Sequence, residues 1–215
     1  MQNNIKREIF EALKKIKGKD FLGAESLLKE ILKQAEEAKD TSEQALILST
    51  LGVLEKMRED YKAAWRYYEK AEKLLPDDPS LKLIMAQLMI NEFSQYDSAI
   101  KKMKKVLDLV KGSASFEHQA HAMMAIAYLR KGDRKKSLEM FQKSMNGNFS
   151  EMSSSQNINL DVIEAFLARN FEPENCRIYL EKALSLAKLK KEDNEVKLFT
   201  KLLSSFSKPE VVVLH

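Results

Sequence analysis

The sequence predicts an all-α chain of about five antiparallel helix pairs followed by one further helix. Three observations point there. Six glycines and four prolines make only ten of 215 residues, about 5% against roughly 12% in average usage. An all-β chain would need turn residues every 8–12 positions or so, and they are not present. Between the breaks, apolar residues recur at spacings of three and four, as in Ala64, Tyr68, Ala71 and Leu75. The chain is 44% hydrophobic and 32% charged, which excludes both a disordered tract and a membrane-embedded bundle.

The breaks place the elements in order. Lys17-Gly18-Lys19-Asp20 ends a helix over 5–17 and opens one over 21–39. Thr41 with Gln44 reads as a capping box for 42–58, and Glu59-Asp60 precedes a helix over 61–75. Asp78 is the expected N-cap of 79–92, with Pro79 at the first helical position, where its missing N–H is harmless. Ser94 with Asp97 is the expected cap of 96–111, and Gly112-Ser113 leads to 115–131. Gly132-Asp133 opens 134–146, a polar loop runs from Asn146 to Asn159, and helices follow over 159–170, 173–189 and 192–206. The apolar residues of 79–92 go almost all round, so its register stays open. Short connections make consecutive helices antiparallel.

Antiparallel pairs call for a repeat search, and the second pair answers it. Leu48-x2-Leu51-Gly52-x2-Glu55 is followed by Ala64-x3-Tyr68-x2-Ala71 and then Pro76. Weaker copies run through Ala24-x3-Leu28-x2-Ile31, Ala99-x3-Met103-x2-Val106, Ser137-x3-Phe141-x2-Ser144 and Cys176-x3-Leu180-x2-Ala183. The pattern resembles the tetratricopeptide repeat, with Leu48 in place of its Trp, Tyr68 in place of its Phe, and Glu55 departing from its aromatic. The resemblance implies a right-handed superhelix. Its expected repeats cover 5–41, 42–78, 79–114, 115–148 and 157–190, with a capping helix over 191–206 and an extended tail over 207–215.

Chemistry for catalysis is not legible. His118 and His121 are three apart with no acidic or cysteine partner, a poor metal site, and read as one half-buried and one solvated side chain. Cys176, the one cysteine, sits in a small-residue packing slot and cannot form an intramolecular disulfide. No catalytic residue, metal or cofactor is expected. The first residues lack the apolar core of a signal peptide, so the expected location is cytoplasmic.

The expected work is therefore binding. In the resembled family the first helix of each pair lines a concave groove. By that register the groove residues are Leu46, Ser49, Val53, Lys56 and Met57, then Gln119, Ala122, Ile126, Leu129 and Arg130, then Ile158, Asp161, Ala165 and Arg169. This set implies an apolar or amphipathic segment of another protein as ligand, held by an adaptor, scaffold or chaperone. Ser49 and Val53 stand where members that clamp an acidic peptide terminus carry Lys and Asn, which argues against that ligand. Ten methionines suggest either adaptable binding or core filling, with core filling favoured. Residues 99–136 hold ten Lys or Arg against three acids, and the alternative reading is an RNA- or anionic-surface-binding repeat. The tail, with Val211-Val212-Val213-Leu214, suggests a strap over the groove or over a second copy.

Overall fold

A computed structural model of the chain describes residues 2–146 and 149–206. The described residues form eleven α-helices: α1 (Gln2–Lys17), α2 (Phe21–Glu37), α3 (Thr41–Met57), α4 (Tyr61–Leu74), α5 (Pro79–Asn91), α6 (Tyr96–Leu109), α7 (Ala114–Lys131), α8 (Arg134–Asn146), α9 (Leu160–Leu167), α10 (Pro173–Lys190) and α11 (Asp193–Ser205). Two 3₁₀ turns, Phe149–Glu151 and Ser155–Asn157, lie between α8 and α9. The expected tail, 207–215, lies outside the described residues. The chain divides into two compact units, Met1–Leu88 and Met89–His215, with the boundary inside α5 and not at a turn.

The repeat register is visible in burial. Ala24, Leu28 and Ile31 of α2, Ala64, Tyr68 and Ala71 of α4, and Ala99, Met103 and Val106 of α6 are all 0% exposed. So are Ser137, Phe141 and Ser144 of α8 and Cys176, Leu180 and Ala183 of α10.

In the first unit the turns keep a cadence. Asp20, Asp40 and Asp60 each cap a helix, their carboxylates accepting the N–H of Gly23, Glu43 and Ala63 at 3.0, 2.9 and 2.8 Å. The residue before each cap is left-handed: Lys19 at φ 63°, Lys39 at 55° and Glu59 at 64°. The expected capping box at Thr41 is thereby corrected. Asp40 is the N-cap, Thr41 is the first helical residue, and Gln44 instead donates to the Ala35 carbonyl at 3.1 Å. At Asp78 the expected cap forms, accepting from Leu81 N–H at 3.0 Å. Ser94 is not a cap: it takes a left-handed φ of 53°, and Gln95 caps α6 without a side-chain bond.

The shortage of glycine thus reflects charged and polar residues placed in left-handed turn positions, where a β-carbon costs about 1–2 kcal/mol.

Within α3 and α4 the helices meet at Gly52. A β-carbon there would lie 2.3 Å from the Tyr68 ring, so the aromatic side chain occupies the space that glycine leaves. Glu55, the departure from the family pattern, is only 9% exposed because Arg58 binds it at 3.0 Å. Arg58 also pairs with Glu25 of α2 at 2.7 Å, and Lys29 joins at 2.6 Å. Lys29 and Arg58 together hold the Glu25 carboxyl below its ordinary range. At the end of α4, Lys82 of α5 is 2% exposed; it donates to Glu72 at 2.9 Å and to the Pro76 carbonyl. That buried ammonium fixes the register of α5 that the sequence left open, with Leu81, Met85, Ala86 and Leu88 inward.

In the second unit α7 packs against α6, α8 and α9. Ser137 donates to the Ala125 carbonyl at 2.8 Å, and Phe141 packs tilted against Phe166 at 4.5 Å and stacks on Tyr179 at 5.4 Å. The polar loop of the sequence reading is an ordered insertion over its described part: Met152, Ser155 and Ile158 are buried. Glu192, at the start of α11, ties it down by accepting from Ser154 Oγ at 2.6 Å, Ser155 N–H at 2.8 Å and Ser155 Oγ. α11 packs along α10 and buries Phe199. Met85, Met89, Met103, Met123, Met124, Met140, Met145 and Met152 are core, so methionine fills space here.

Two substitutions test this packing. Gly52→Ala forces Tyr68 to move and should lower stability by about 1–3 kcal/mol in urea titration. Tyr68→Phe removes a buried hydroxyl that has no hydrogen-bond partner, and should leave stability unchanged or raise it by about 1 kcal/mol. In the turns, Lys39→Gly and Glu59→Gly relieve left-handed strain at the cost of backbone entropy, and each should raise stability by up to about 1 kcal/mol.

Candidate interaction surface

The expected groove residues of α3 share one helix face. Positions 46, 49, 53, 56 and 57 recur at three and four, which puts them in a stripe along the first unit. Leu46 is 44% and Met57 51% exposed, with Ser49, Val53 and Lys56 half-buried between them. Ser49 turns its hydroxyl back onto the Leu46 carbonyl at 2.8 Å, and Lys56 reaches Gln87 of α5 at 3.1 Å. The polar members of the stripe are thereby engaged, and the open part of the face is apolar. α1 packs beside α3, and its Leu13 is 40% exposed. The sequence reading missed Leu13. The signal was present: Ala24 and Ala64 are 40 apart, and Leu13 lies 40 before Val53.

The residues expected from the later repeats behave differently. Ala122, Ile126 and Leu129 of α7 are at most 4% exposed, and Ala165 of α9 is 8% exposed. The expectation that they face a partner is corrected: α6, α8, α9 and the 149–151 turn pack around α7. Gln119 donates to the Asn157 carbonyl and accepts from Asn159 at 2.8 Å, so it anchors the insertion. Arg130 donates to the Ile90 carbonyl at 2.8 Å. Ile158 is buried, while Asp161 and Arg169 are exposed.

The basic stretch is partly consumed by pairing. Lys131 meets Asp97 at 2.5 Å, and Lys136 meets Asp133 at 2.8 Å and lies over the Tyr128 ring. Arg134 lies over Phe171. Lys101, Lys104, Lys105 and Lys111 are exposed.

A concavity of about 440 Å³ runs along α10 between Phe149, Ile178, Leu186 and Leu189. Leu189 is 62% exposed. The flanking charges are spoken for: Glu181 pairs with Arg177, and Lys182 donates to the Met145 carbonyl at 2.9 Å.

The histidines differ from expectation. His118 is fully buried and His121 half-buried, because α7 is enclosed. Among the described residues no three His, Cys, Asp or Glu side chains gather where a metal could be held. Cys176 is 0% exposed, and burial pushes its thiol up to about 12. No described helix is long and apolar enough to cross a membrane.

No family model matches the sequence, and no curated protein does. Solved structures do match. The structure of pilF from Pseudomonas aeruginosa superposes with a TM-score of 0.62 at 14% identity, over 97% of this chain and 94% of that one. BtubC (BKLC) from P. vanneervenii gives 0.60 at 16% identity, over 99% and 93%. A MamA RS-1 double mutant gives 0.56 at 16% identity, over 86% and 96%. The chain has a tetratricopeptide-like helical-repeat fold. α3 packs against α4, and α10 against α11 and α9.

A thiol so deeply buried and so weakly acidic should be inert. Cys176 should fail to react with a disulfide reagent at pH 8 in the native chain and react fully in denaturant. Rapid native labelling would show that α10 opens locally.

Proposed function

We propose that this chain is a non-catalytic protein-interaction module, an adaptor, scaffold or chaperone, that holds an apolar or amphipathic segment of a partner on the α3 face. The observation that carries the reading is the placement of Leu46, Val53 and Met57 along one stripe, on a helix whose opposite residues are buried, with Leu13 exposed on the adjoining α1. Large apolar side chains left open in a row on a rigid helix are a surface for side-chain contact. Lys56, held by Gln87 at the edge, gives the stripe a polar border. The buried α7 and α9 residues do not contribute, so the reading narrows to the first unit. A single buried thiol is compatible with work in a reducing cytoplasm.

Leu46→Asp and Met57→Asp test it. Both positions are exposed, so far-UV circular dichroism should stay unchanged. Covering each side chain is worth about 1.5–3 kcal/mol, so each substitution should weaken partner binding tenfold or more. The measurement is co-purification from the native source, then titration of the recovered partner. A partner bound equally by both variants would sink the assignment of this face. Retention on heparin that collapses with modest salt, with RNA binding of the same slope, would establish instead the reading through 99–136.

A further inference from the structure

We propose that His118 is an acid-released latch that fastens the insertion of residues 149–159 to α7 and α10, and so controls one wall of the groove along α10.

The latch is built from opposite sides of the core. The ring of His118 sits on α7. Its Nδ1 lies 3.1 Å from the Ser144 carbonyl of α8, so Nδ1 carries the proton and donates. Nε2 is then the acceptor, and it takes the backbone N–H of Asn159 at 3.2 Å. Tyr179 of α10 brings its hydroxyl to 2.9 Å from Nε2 while donating to the Asn159 carbonyl at 2.9 Å. Both backbone groups of Asn159 are therefore held by this one pair of rings. Asn159 is also the N-cap of α9, accepting from Val162 N–H at 3.2 Å. Phe149, at the other end of the insertion, stands edge-on to both rings, at 5.2 Å from His118 and 5.8 Å from Tyr179. The same Phe149 lines the groove with Ile178, Leu186 and Leu189.

A proton on Nε2 breaks the arrangement for a geometric reason. Nε2 becomes a donor: the Tyr179 hydroxyl oxygen, 2.9 Å away, takes that proton, but the Asn159 N–H that Nε2 also faces is left without an acceptor. The ring becomes a cation in the core, and none of its three hydrogen-bond partners is a carboxylate.

The surroundings offer little relief. On its own helix His118 meets His121, which opposes a second positive charge, and His121 in turn faces Glu117 and Lys143 of α8. α10 brings Tyr179 and Cys176, α9 brings Asp161 towards Tyr179, and the insertion brings Glu151, which is exposed. Lifting the Asn159 end of the insertion hydrates the cation and loosens the rings on which Phe149 rests, while Glu192, on the other side, keeps hold of Ser154 and Ser155.

Burial, the largest influence, pushes the folded His118 down to about 4 from an ordinary 6.5. The released state therefore binds the proton first. Release should be absent above pH 6.5 and grow by up to tenfold per pH unit as the pH falls from 6.5 towards 4.

Hydrogen exchange on the full chain, corrected for intrinsic rates, reads this directly. Between pH 7.5 and 5.0 the opening of amides 158–162 should rise by roughly tenfold or more, while amides of α3 and α4 stay protected. His118→Gln should flatten the pH dependence. Tyr179→Phe, which keeps the aromatic core, should raise opening at pH 7.5 and keep the acid slope. Imidazole nitrogen shifts should show the proton on Nδ1 at pH 7. The latch is overturned if amides 158–162 keep their protection at pH 5.0, or lose it only together with α3 and α4. It is equally overturned if His118 titrates near 6.5 with no loss of protection.

Discussion

The structure depends on a small residue of one helix accepting a large side chain of the next. At Gly52 the Tyr68 ring occupies the position of an absent β-carbon. That contact sets how near α3 and α4 approach, and hence which residues of α3 are inside. Leu48, Leu51 and Leu54 go in, and Leu46, Val53 and Met57 are left on the other side. The candidate surface is thus the remainder of a packing problem. In the second unit Ala125 and Phe141 hold the matching places, with the Ser137 hydroxyl bonded across the pair.

Much of this could be read in advance because helical burial is periodic. The eleven helices stood in the sequence, and so did the anchors at Ala24, Ala64, Ala99, Ser137 and Cys176, all of them buried. The caps were less legible. Thr41 and Asp40 are both good N-cap residues, and only the backbone shows that the carboxylate takes the bond. Which residues of α3 share a face was legible, because positions 46, 49, 53, 56 and 57 recur at three and four. The face of α7 was not. Whether Ile126 is open depends on α9 and an insertion that follows it by more than twenty residues, and no periodicity within α7 records that.

Buried polar groups mark where the repeat departs from regularity. Lys82 secures the Leu75–Pro79 turn, where two prolines remove backbone donors. His118, Tyr179 and Gln119 secure the insertion, whose two short 3₁₀ turns leave much of its backbone to be satisfied from outside. Tyr68, by contrast, buries its hydroxyl unpaired in the most regular pair, and the desolvated phenol is pushed up to about 12.

The turn cadence of the first unit has a consequence for the order of events as the chain is made. Each hairpin from α1 to α4 closes over a few residues at Asp20, Asp40 or Asp60, so each can form as soon as its second helix is synthesised. The insertion of the second unit has no such independence. Its clamp needs His118 and Tyr179, 61 positions apart in the chain. Residues 149–159 therefore wait, already synthesised but unfastened, until Tyr179 of α10 and Glu192 at the start of α11 have emerged.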